Sequence, residues 1–135
     1  TGGGMYTSFI ARRNGTTDYR AVVRVTASAV TVQIQRTVSG TATVLGSTAT
    51  LAGGTLAANS SVQVKFQAVG NGTTTLRAKV WRTGDAEPTA WTVTTTDTTA
   101  ALQSAGSVGV YSYLSSSATN GPIVAKFDQF VVTPV

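Results

Sequence analysis

The side chains best able to do chemistry in this sequence are five carboxylates, because the chain contains no histidine and no cysteine. Without those two residue types the commonest general base is missing, and neither a Ser-His-Asp triad nor a cysteine nucleophile can be built. Hydrolysis of a glycoside would need two carboxylates roughly 5–9.5 Å apart across the glycosidic bond. The acids are Asp18, Asp85, Glu87, Asp97 and Asp128, and no two of them share a strand face. We therefore predict that the chain is not an enzyme.

Asp85 and Glu87 are the acids closest to each other in the sequence, and they lie in a polar segment that ends at Pro88. Calcium accepts such hard oxygen ligands, but most of its ligands would have to come from the backbone here. The absence of cysteine excludes a zinc-thiolate site and a disulfide framework. A solvated loop is the simpler interpretation. We expect no metal ion and no cofactor.

Polar side chains with planar hydrogen-bonding groups recur on one side of several predicted strands. If the apolar members of each strand point inward, the alternate members share the outer face. The candidate ligand-binding residues are then Arg20 and Arg24, Gln33 and Gln35, Gln63 and Lys65, Arg77, Lys79 and Trp81, and Tyr111 and Tyr113. Should their strands be neighbours, these residues would form one sheet surface.

The chemistry of this candidate surface suits a sugar. Amide and guanidinium groups hydrogen-bond hydroxyls or carboxylates, and an indole or phenol ring stacks on the C–H face of a pyranose. The pattern therefore predicts a glycan-binding sheet face. The alternative is that the same residues only solvate the wet face of an antiparallel sheet. For Trp81 and Trp91, which bracket one loop, packing in the core or against that loop is a second alternative.

The elements that would position these residues are β-strands. Thr and Val dominate the sequence, and both are β-branched residues that suit a pleated surface. Charged residues make up only 11% of the chain, while hydrophobic residues reach 41% and can fill a core. Period-two alternation recurs from end to end, and no helical segment is long enough to connect parallel strands. We predict an all-β, antiparallel two-sheet sandwich that forms a single domain over residues 1–135.

About nine strands are predicted. They cover Met5–Arg13, Tyr19–Val25, Val30–Gln35, Thr43–Leu51, Val62–Ala68, Leu76–Trp81, Trp91–Thr96, Ser107–Leu114 and Ile123–Val132. Asn71-Gly72 predicts a type I′ hairpin turn, and Asp97–Ala105 predicts one or two helical turns. Alternation places Phe9, Phe66, Phe127 and Phe130 in the core, whereas Arg12 and Arg13 beside the Asn14-Gly15 turn are expected to be solvated.

Charge and hydropathy narrow the choice of partners. The net charge of +5 favours acidic partners, but the ten basic residues form no run, which argues against nucleic acid. No stretch of about 18 apolar residues is present, so we expect no membrane insertion. Met5 follows the glycine run of Thr1-Gly2-Gly3-Gly4, and this opening suggests a fragment, a processed form or the tail of a larger polypeptide.

Six short stretches resemble the concanavalin A-like (laminin G-like) jelly-roll family. They are Phe9-Ile10-Ala11-Arg12-Arg13, Asp18-Tyr19-Arg20, Leu76-Arg77-Ala78-Lys79-Val80-Trp81, Glu87-Pro88 with Trp91, Gly106-Ser107-Val108-Gly109-Val110 and Phe127-Asp128-Gln129-Phe130. The resemblance covers nearly the whole chain. Modules of this subtype occur in large secreted proteins of high-GC Gram-positive bacteria and in minor tail proteins of their phages.

The resemblance implies a two-sheet sandwich with a concave face that often binds glycans, in an extracellular or virion setting. Catalytic relatives carry paired glutamates on one strand, and this chain has a single glutamate, Glu87. Relatives commonly have one or two strands ahead of the position of Met5, which a preceding segment or a neighbouring subunit would supply here. The expected function is a non-catalytic carbohydrate- or cell-surface-binding module of a phage tail or secreted multidomain protein. The alternative is a purely structural virion or surface-assembly domain, with other subunits as partners and no glycan ligand.

Overall fold

The computed structural model describes residues 3–135, so Thr1 and Gly2 of the opening glycine run lie outside the described residues. Residues 3–135 form eight strands and one short 3₁₀ turn. The strands are β1 (Met5–Asn14), β2 (Thr17–Val25), β3 (Val30–Val38), β4 (Thr41–Thr50), β5 (Val62–Val69), β6 (Thr74–Arg82), β7 (Val93–Asp97) and β8 (Ser107–Leu114), with the 3₁₀ turn at Ala100–Leu102 between β7 and β8.

The strands form two antiparallel sheets, of five strands in the order β4-β3-β2-β1-β8 and of three in the order β5-β6-β7. The prediction of an all-β fold built from two antiparallel sheets is confirmed. Strands β1 to β4 follow one another as hairpins, after which the chain crosses to the second sheet and returns through the 3₁₀ turn to pair β8 with β1. No helix within residues 3–135 has the length and apolarity needed to cross a bilayer.

The core lies between the sheets and is built by the period-two alternation. On β2 the inward residues Tyr19, Ala21 and Val23 are buried, and their partners on β3 and β6 alternate in the same way. The further core residues are Val30, Val32 and Ile34 of β3, Leu76, Ala78 and Val80 of β6, Val93 of β7 and Leu102 of the 3₁₀ turn. Full burial of one such aliphatic side chain contributes about 1.5–3 kcal/mol, so this layer holds the two sheets together.

One buried carboxylate connects the two sheets at one end of the sandwich. The Tyr19 hydroxyl on β2 donates to Asp97 Oδ2 at 2.7 Å, and Arg36 Nη1 on β3 donates to Asp97 Oδ1 at 3.0 Å. Burial opposes ionisation of Asp97, but hydrogen bonds from Thr99 and Tyr19 and the charge of Arg36 outweigh it and lower its pKa. Burial, aided by the hydrogen bond to Asp97, raises the pKa of Tyr19 to about 12.

Arg12 makes a second connection between the sheets at the same end. A register irregularity in β1 between Ala11 and Asn14 gives Arg12 a φ of 52°. Its Nη1 donates to Thr74 Oγ1 at 2.8 Å and to the Leu102 carbonyl at 3.1 Å, and its Nη2 donates to the Gly70 carbonyl at 2.6 Å. The expectation that Arg12 is solvated is therefore wrong, because the bulge turns this one side chain toward the other sheet.

The last predicted strand is not formed. Residues 115–135 contain no regular strand, so the described residues hold eight strands rather than nine. Alternation alone does not make a strand, since the backbone must also pair with a neighbouring strand, and none of the eight strands pairs with this segment. Phe127 meets the ring of Phe9 edge-on at 6.4 Å between centroids. Phe127 and Phe130 are nevertheless exposed, which corrects their assignment to the core.

Two local predictions also differ from the structure. The β5–β6 connection is a four-residue loop over 70–73, with positive φ at Gly70 and Gly72 instead of at Asn71. Gly70 takes this conformation next to the Thr73 carbonyl, where a side chain would not fit, so no type I′ turn forms at Asn71-Gly72. The segment predicted to be helical forms only the single 3₁₀ turn. This turn begins with a hydrogen bond from Leu102 N to the Thr99 carbonyl at 2.9 Å.

We expect Asp97→Asn to lower the free energy of unfolding at neutral pH by about 1–3 kcal/mol, because two charge-assisted hydrogen bonds are weakened in a buried site. The folded-state pKa of Asp97 lies below its ordinary value, so the unfolded chain takes up the proton first. The stabilisation is then complete above about pH 4 and is lost as pH falls through the folded-state pKa. Urea unfolding at a series of pH values should show a shallower acid decline in Asp97→Asn than in the wild type. The exposed-loop variant Asp85→Asn is the matched control, and equal slopes in all three proteins would contradict the assignment.

Candidate functional site

The structure divides the eleven predicted site residues between two surfaces that face away from each other. Register places Arg20, Arg24, Gln33, Gln35, Tyr111 and Tyr113 on the outer face of the five-stranded sheet. The remaining five, Gln63, Lys65, Arg77, Lys79 and Trp81, share the outer face of the three-stranded sheet. The predicted set is thus two surfaces rather than one, because β3 and β5 belong to different sheets.

The first surface, called the Tyr–Arg face below, consists of Tyr6 together with Arg20, Arg24, Gln33, Gln35, Tyr111 and Tyr113. One row across it joins three strands, since Tyr113 of β8 pairs with Tyr6 of β1, which pairs with Arg24 of β2. The two tyrosine rings lie 6.0 Å apart between centroids at 47°. The Arg24 guanidinium carbon stands 5.3 Å from the centre of the Tyr6 ring, within the range of a cation–π contact.

An apolar floor lies beneath the polar side chains of the Tyr–Arg face. Ile10 and Val22 point outward by register, yet they are only 6% and 3% exposed. Long side chains on neighbouring strands cover such residues with their apolar stems while their polar ends reach solvent. The rings of Tyr111 and Tyr113 stay about half exposed, at 50% and 48%. The face therefore has a buried apolar base and presents two accessible aromatic rings.

Arg20 is held in place on this face by an acid of its own strand. Its Nε and Nη2 donate to the two oxygens of Asp18 at 2.6 and 3.0 Å, and Asp18 is completely buried. The hydrogen bond to Asp18 raises the pKa of Arg20 above its ordinary value. Such a two-point contact fixes the plane of the guanidinium group. The pair contributes a defined polar edge and no net charge.

The glutamines of β3 complete the face on its other side. Gln33 lies opposite Val22, and its Oε1 accepts a hydrogen bond from Thr48 Oγ1 at 3.0 Å. Gln35 lies between Arg20 of β2 and Val44 of β4. Each amide offers both a donor and an acceptor, so the face can donate hydrogen bonds to sugar hydroxyl groups and also accept hydrogen bonds from them.

The second surface is partly covered by the loop that joins β6 to β7. Lys79 is 6% exposed, and its Nζ contacts Glu87 Oε1 at 2.7 Å and the Pro88 carbonyl at 2.7 Å. The same ammonium group stands 5.1 Å from the centre of the Trp91 ring. Trp81, at 8% exposure, is also buried. Lys79 and Trp81 are therefore closed off from a ligand, which corrects their assignment to a binding face. For Lys79 the reason is the loop over 83–92, whose Glu87 and Pro88 bind its ammonium group.

Glu87 is the centre of this covering contact. Besides Lys79, it accepts a hydrogen bond from Lys65 Nζ at 3.2 Å. The hydrogen bonds from Lys79 and Lys65 lower the pKa of the Glu87 carboxyl. A carboxylate with two ammonium partners is satisfied without a metal ion, and within residues 3–135 no three Asp or Glu side chains come close enough to hold one.

A groove of about 650 Å³ lies near the start of β5 and contains none of the predicted site residues. Its lining consists of Asn59, Ser60, Ser61, Val124 and Lys126. Three of these are short polar side chains without a nearby acid or aromatic ring among the lining residues. This groove offers less chemistry than the Tyr–Arg face.

Tyr6 is the site residue that sequence reasoning missed. It occupies the outward position of β1 in the row between Arg24 and Tyr113. Alternation in Met5–Arg13 assigns Tyr6 and Phe9 to opposite sides, but only the order β2-β1-β8 shows which strands border Tyr6. A pairing partner distant in sequence leaves no local signal.

Comparison with known proteins found no matching family model, no matching curated protein and no matching solved structure. The resemblance to concanavalin A-like modules therefore stays a prediction from the sequence motifs.

We expect Glu87→Gln to loosen the loop over 83–92, because the neutral amide cannot hold two ammonium groups. Hydrogen exchange measured by mass spectrometry should become faster in peptides from this loop and stay unchanged in β2 and β3. Asp85→Asn, an acid-to-amide change in the same loop, is the control and should exchange like the wild type. Unaltered exchange in Glu87→Gln would show that the ion pairs do not hold the loop.

Proposed function

We propose that the chain is a non-catalytic carbohydrate- or cell-surface-binding module and that the Tyr–Arg face is its binding surface. The observation that carries the proposal is the row Tyr113–Tyr6–Arg24, in which two aromatic rings and a guanidinium group stand side by side across three paired strands. The rings of Tyr111 and Tyr113, which are half exposed, suit the C–H face of a pyranose, and the neighbouring amides suit its hydroxyl groups.

The width of the face indicates what kind of glycan fits. Its residues come from consecutive strands, which are spaced about 4.7–4.9 Å apart, so the row from β8 to β3 spans roughly 15 Å. That length exceeds one sugar ring. An extended polysaccharide, bound by repeated stacking and hydrogen bonds, is a better match than a single sugar enclosed in a pocket.

The same observations support a binding role over catalysis. Three of the five acids are engaged in ion pairs: Asp18 with Arg20, Glu87 with Lys65 and Lys79, and Asp97 with Arg36. Each lies in a different part of the fold, whereas hydrolysis of a glycoside needs two carboxylates facing one bond. We include in the proposal a phage tail or a secreted multidomain protein as the parent, and an extracellular or virion setting. The support for that setting is the resemblance of the sequence motifs.

Binding should be tested with a glycan array and with pull-down on insoluble cell-wall polysaccharides. We expect the wild type to be retained and Tyr111→Ala/Tyr113→Ala to bind at least about fivefold more weakly, since each stacked ring contributes about 0.5–1.5 kcal/mol. Both rings are half exposed, so the variant should fold. Gln63→Ala/Arg77→Ala on the opposite sheet is the matched control and should bind like the wild type. Retention of the tyrosine variant at wild-type strength would rule out this face.

A second candidate function, a structural domain of a virion or surface assembly, is favoured by the C-terminal segment 123–135. Its exposed large hydrophobic residues are Ile123, Val124, Phe127, Phe130, Val131, Val132 and Val135. Exposed apolar residues concentrated in one segment are typical of interaction sites in soluble proteins. β5, an edge strand, offers unpaired backbone groups to an added strand as well.

Sedimentation velocity over a wide range of protein concentration tests the assembly function. If segment 123–135 mediates assembly between copies, the wild type should self-associate and Phe130→Ser/Val131→Ser should shift the equilibrium toward the monomer by about tenfold. Val38→Ser, an exposed valine at the end of β3, is the control. A wild type that stays monomeric at the highest concentration would contradict self-assembly through this segment.

A further inference from the structure

The Tyr–Arg face carries one positive charge that the protein does not neutralise. The outward positions of its strands contribute two cations, Arg20 and Arg24, and one acid, Asp18. Asp18 is completely buried and bonded at both oxygens by Arg20. Arg24 has no ion-pair partner anywhere in residues 3–135.

The other acids of the chain belong to other parts of the molecule. Asp97 is buried between the sheets, and Glu87 bonds the two lysines of the covered face. Asp85 lies in the same loop as Glu87, and Asp128 lies in the C-terminal segment. The charge of Arg24 is therefore available to an anion from solution.

The contacts of Arg24 hold it in one orientation while leaving donors unused. Its Nε donates to the Gly3 carbonyl at 2.8 Å, and its guanidinium stands over the Tyr6 ring. This is the single hydrogen bond that the group makes within the part of the chain that the structure describes. The two terminal nitrogens carry four N–H donors, and a guanidinium fork matches a carboxylate in geometry.

We propose that the Tyr–Arg face binds a carboxylated polysaccharide, with the Arg24 guanidinium bonding a uronate carboxylate while the half-exposed rings of Tyr111 and Tyr113 contact the sugar. The inference rests on the glycan-binding function proposed above and adds the class of glycan. The uronate carboxylate supplies the negative counter-charge that Arg24 lacks within the protein. The aromatic pair and the amides of Gln33 and Gln35 favour a sugar polymer over an acidic peptide, which would give the two rings no pyranose face to stack on.

The test compares polygalacturonate with its fully methyl-esterified form, because the two polymers share the same sugar rings and differ in the carboxylate charge. We expect the wild type to bind the acid at least about tenfold more tightly than the ester at low ionic strength, corresponding to about 1.4 kcal/mol. Added salt should weaken binding of the acid more than binding of the ester. Isothermal titration calorimetry gives both affinities.

Arg24→Gln should remove the preference for the acid, so that the variant binds acid and ester with affinities within about twofold of each other. Arg24→Lys keeps the charge but loses the fork, so it should retain part of the preference. Arg77→Gln, the same substitution on the opposite sheet, is the control and should bind both polymers like the wild type. Circular dichroism of each variant establishes that it is folded.

Three outcomes would overturn the inference. The first is that the wild type binds acid and ester equally, Arg24→Gln binds both like the wild type, and Tyr111→Ala/Tyr113→Ala binds both more weakly. This result would reject recognition of the carboxylate but would still support the proposed glycan-binding function. Poly-L-glutamate bound as tightly as polygalacturonate would show that charge alone is recognised. A folded wild type that binds neither polymer would also reject it, and the array of neutral polysaccharides would then decide the proposed function by itself.

Discussion

In β2, the residues Tyr19, Ala21 and Val23 alternate with Arg20, Val22 and Arg24, so burying the first set places the second on the outer face. A slip of one residue in the pairing with β1 or β3 would exchange the two sets. It would bury two guanidinium groups without acceptors and expose the aromatic anchor of the core. The hydrogen bond from Tyr19 to Asp97 and the ion pair of Asp97 with Arg36 add polar constraints that a slipped strand could not meet. The candidate binding face is therefore a consequence of the same register that forms the core.

The sequence was sufficient for the fold class and for most strands because both depend on local patterns. Alternation in Tyr19–Val25 or Val62–Ala68 is visible without any knowledge of pairing, and the strand Ser107–Leu114 agrees with the structure at both ends. Segment 123–132 shows the limit of that signal, since its alternation is clear but no strand edge takes it up in the described residues. The inward turn of Arg12 escaped prediction for a related reason, because it follows from a register irregularity that depends on the strands on either side of β1.

For the site, alternation assigned each residue to one side of its strand, and the order of the strands determined which of these residues lie close together. Arg20, Arg24, Gln33 and Gln35 come from adjacent strands of one hairpin, so their proximity was within reach of the sequence. Tyr111 and Tyr113 join them only because β8 returns to pair with β1. Lys79 and Trp81 follow the same alternation, yet both are buried, and Lys79 lies beneath a loop whose Glu87 and Pro88 bind its ammonium group. Whether a polar residue on a strand faces water or a covering loop is a tertiary property.

The most direct test of the account is a ¹⁵N-resolved NMR titration of the folded protein with a short oligogalacturonate, with a neutral oligosaccharide of equal length alongside. We expect the largest changes in chemical shift upon adding the oligogalacturonate at the amides of Tyr6, Arg24 and Tyr113 and of their neighbours on β8, β1, β2 and β3. Weaker changes in the same strands are expected with the neutral sugar. Changes confined to the three-stranded sheet, to the loop over 83–92 or to segment 123–135 would contradict it, as would a spectrum that neither sugar alters.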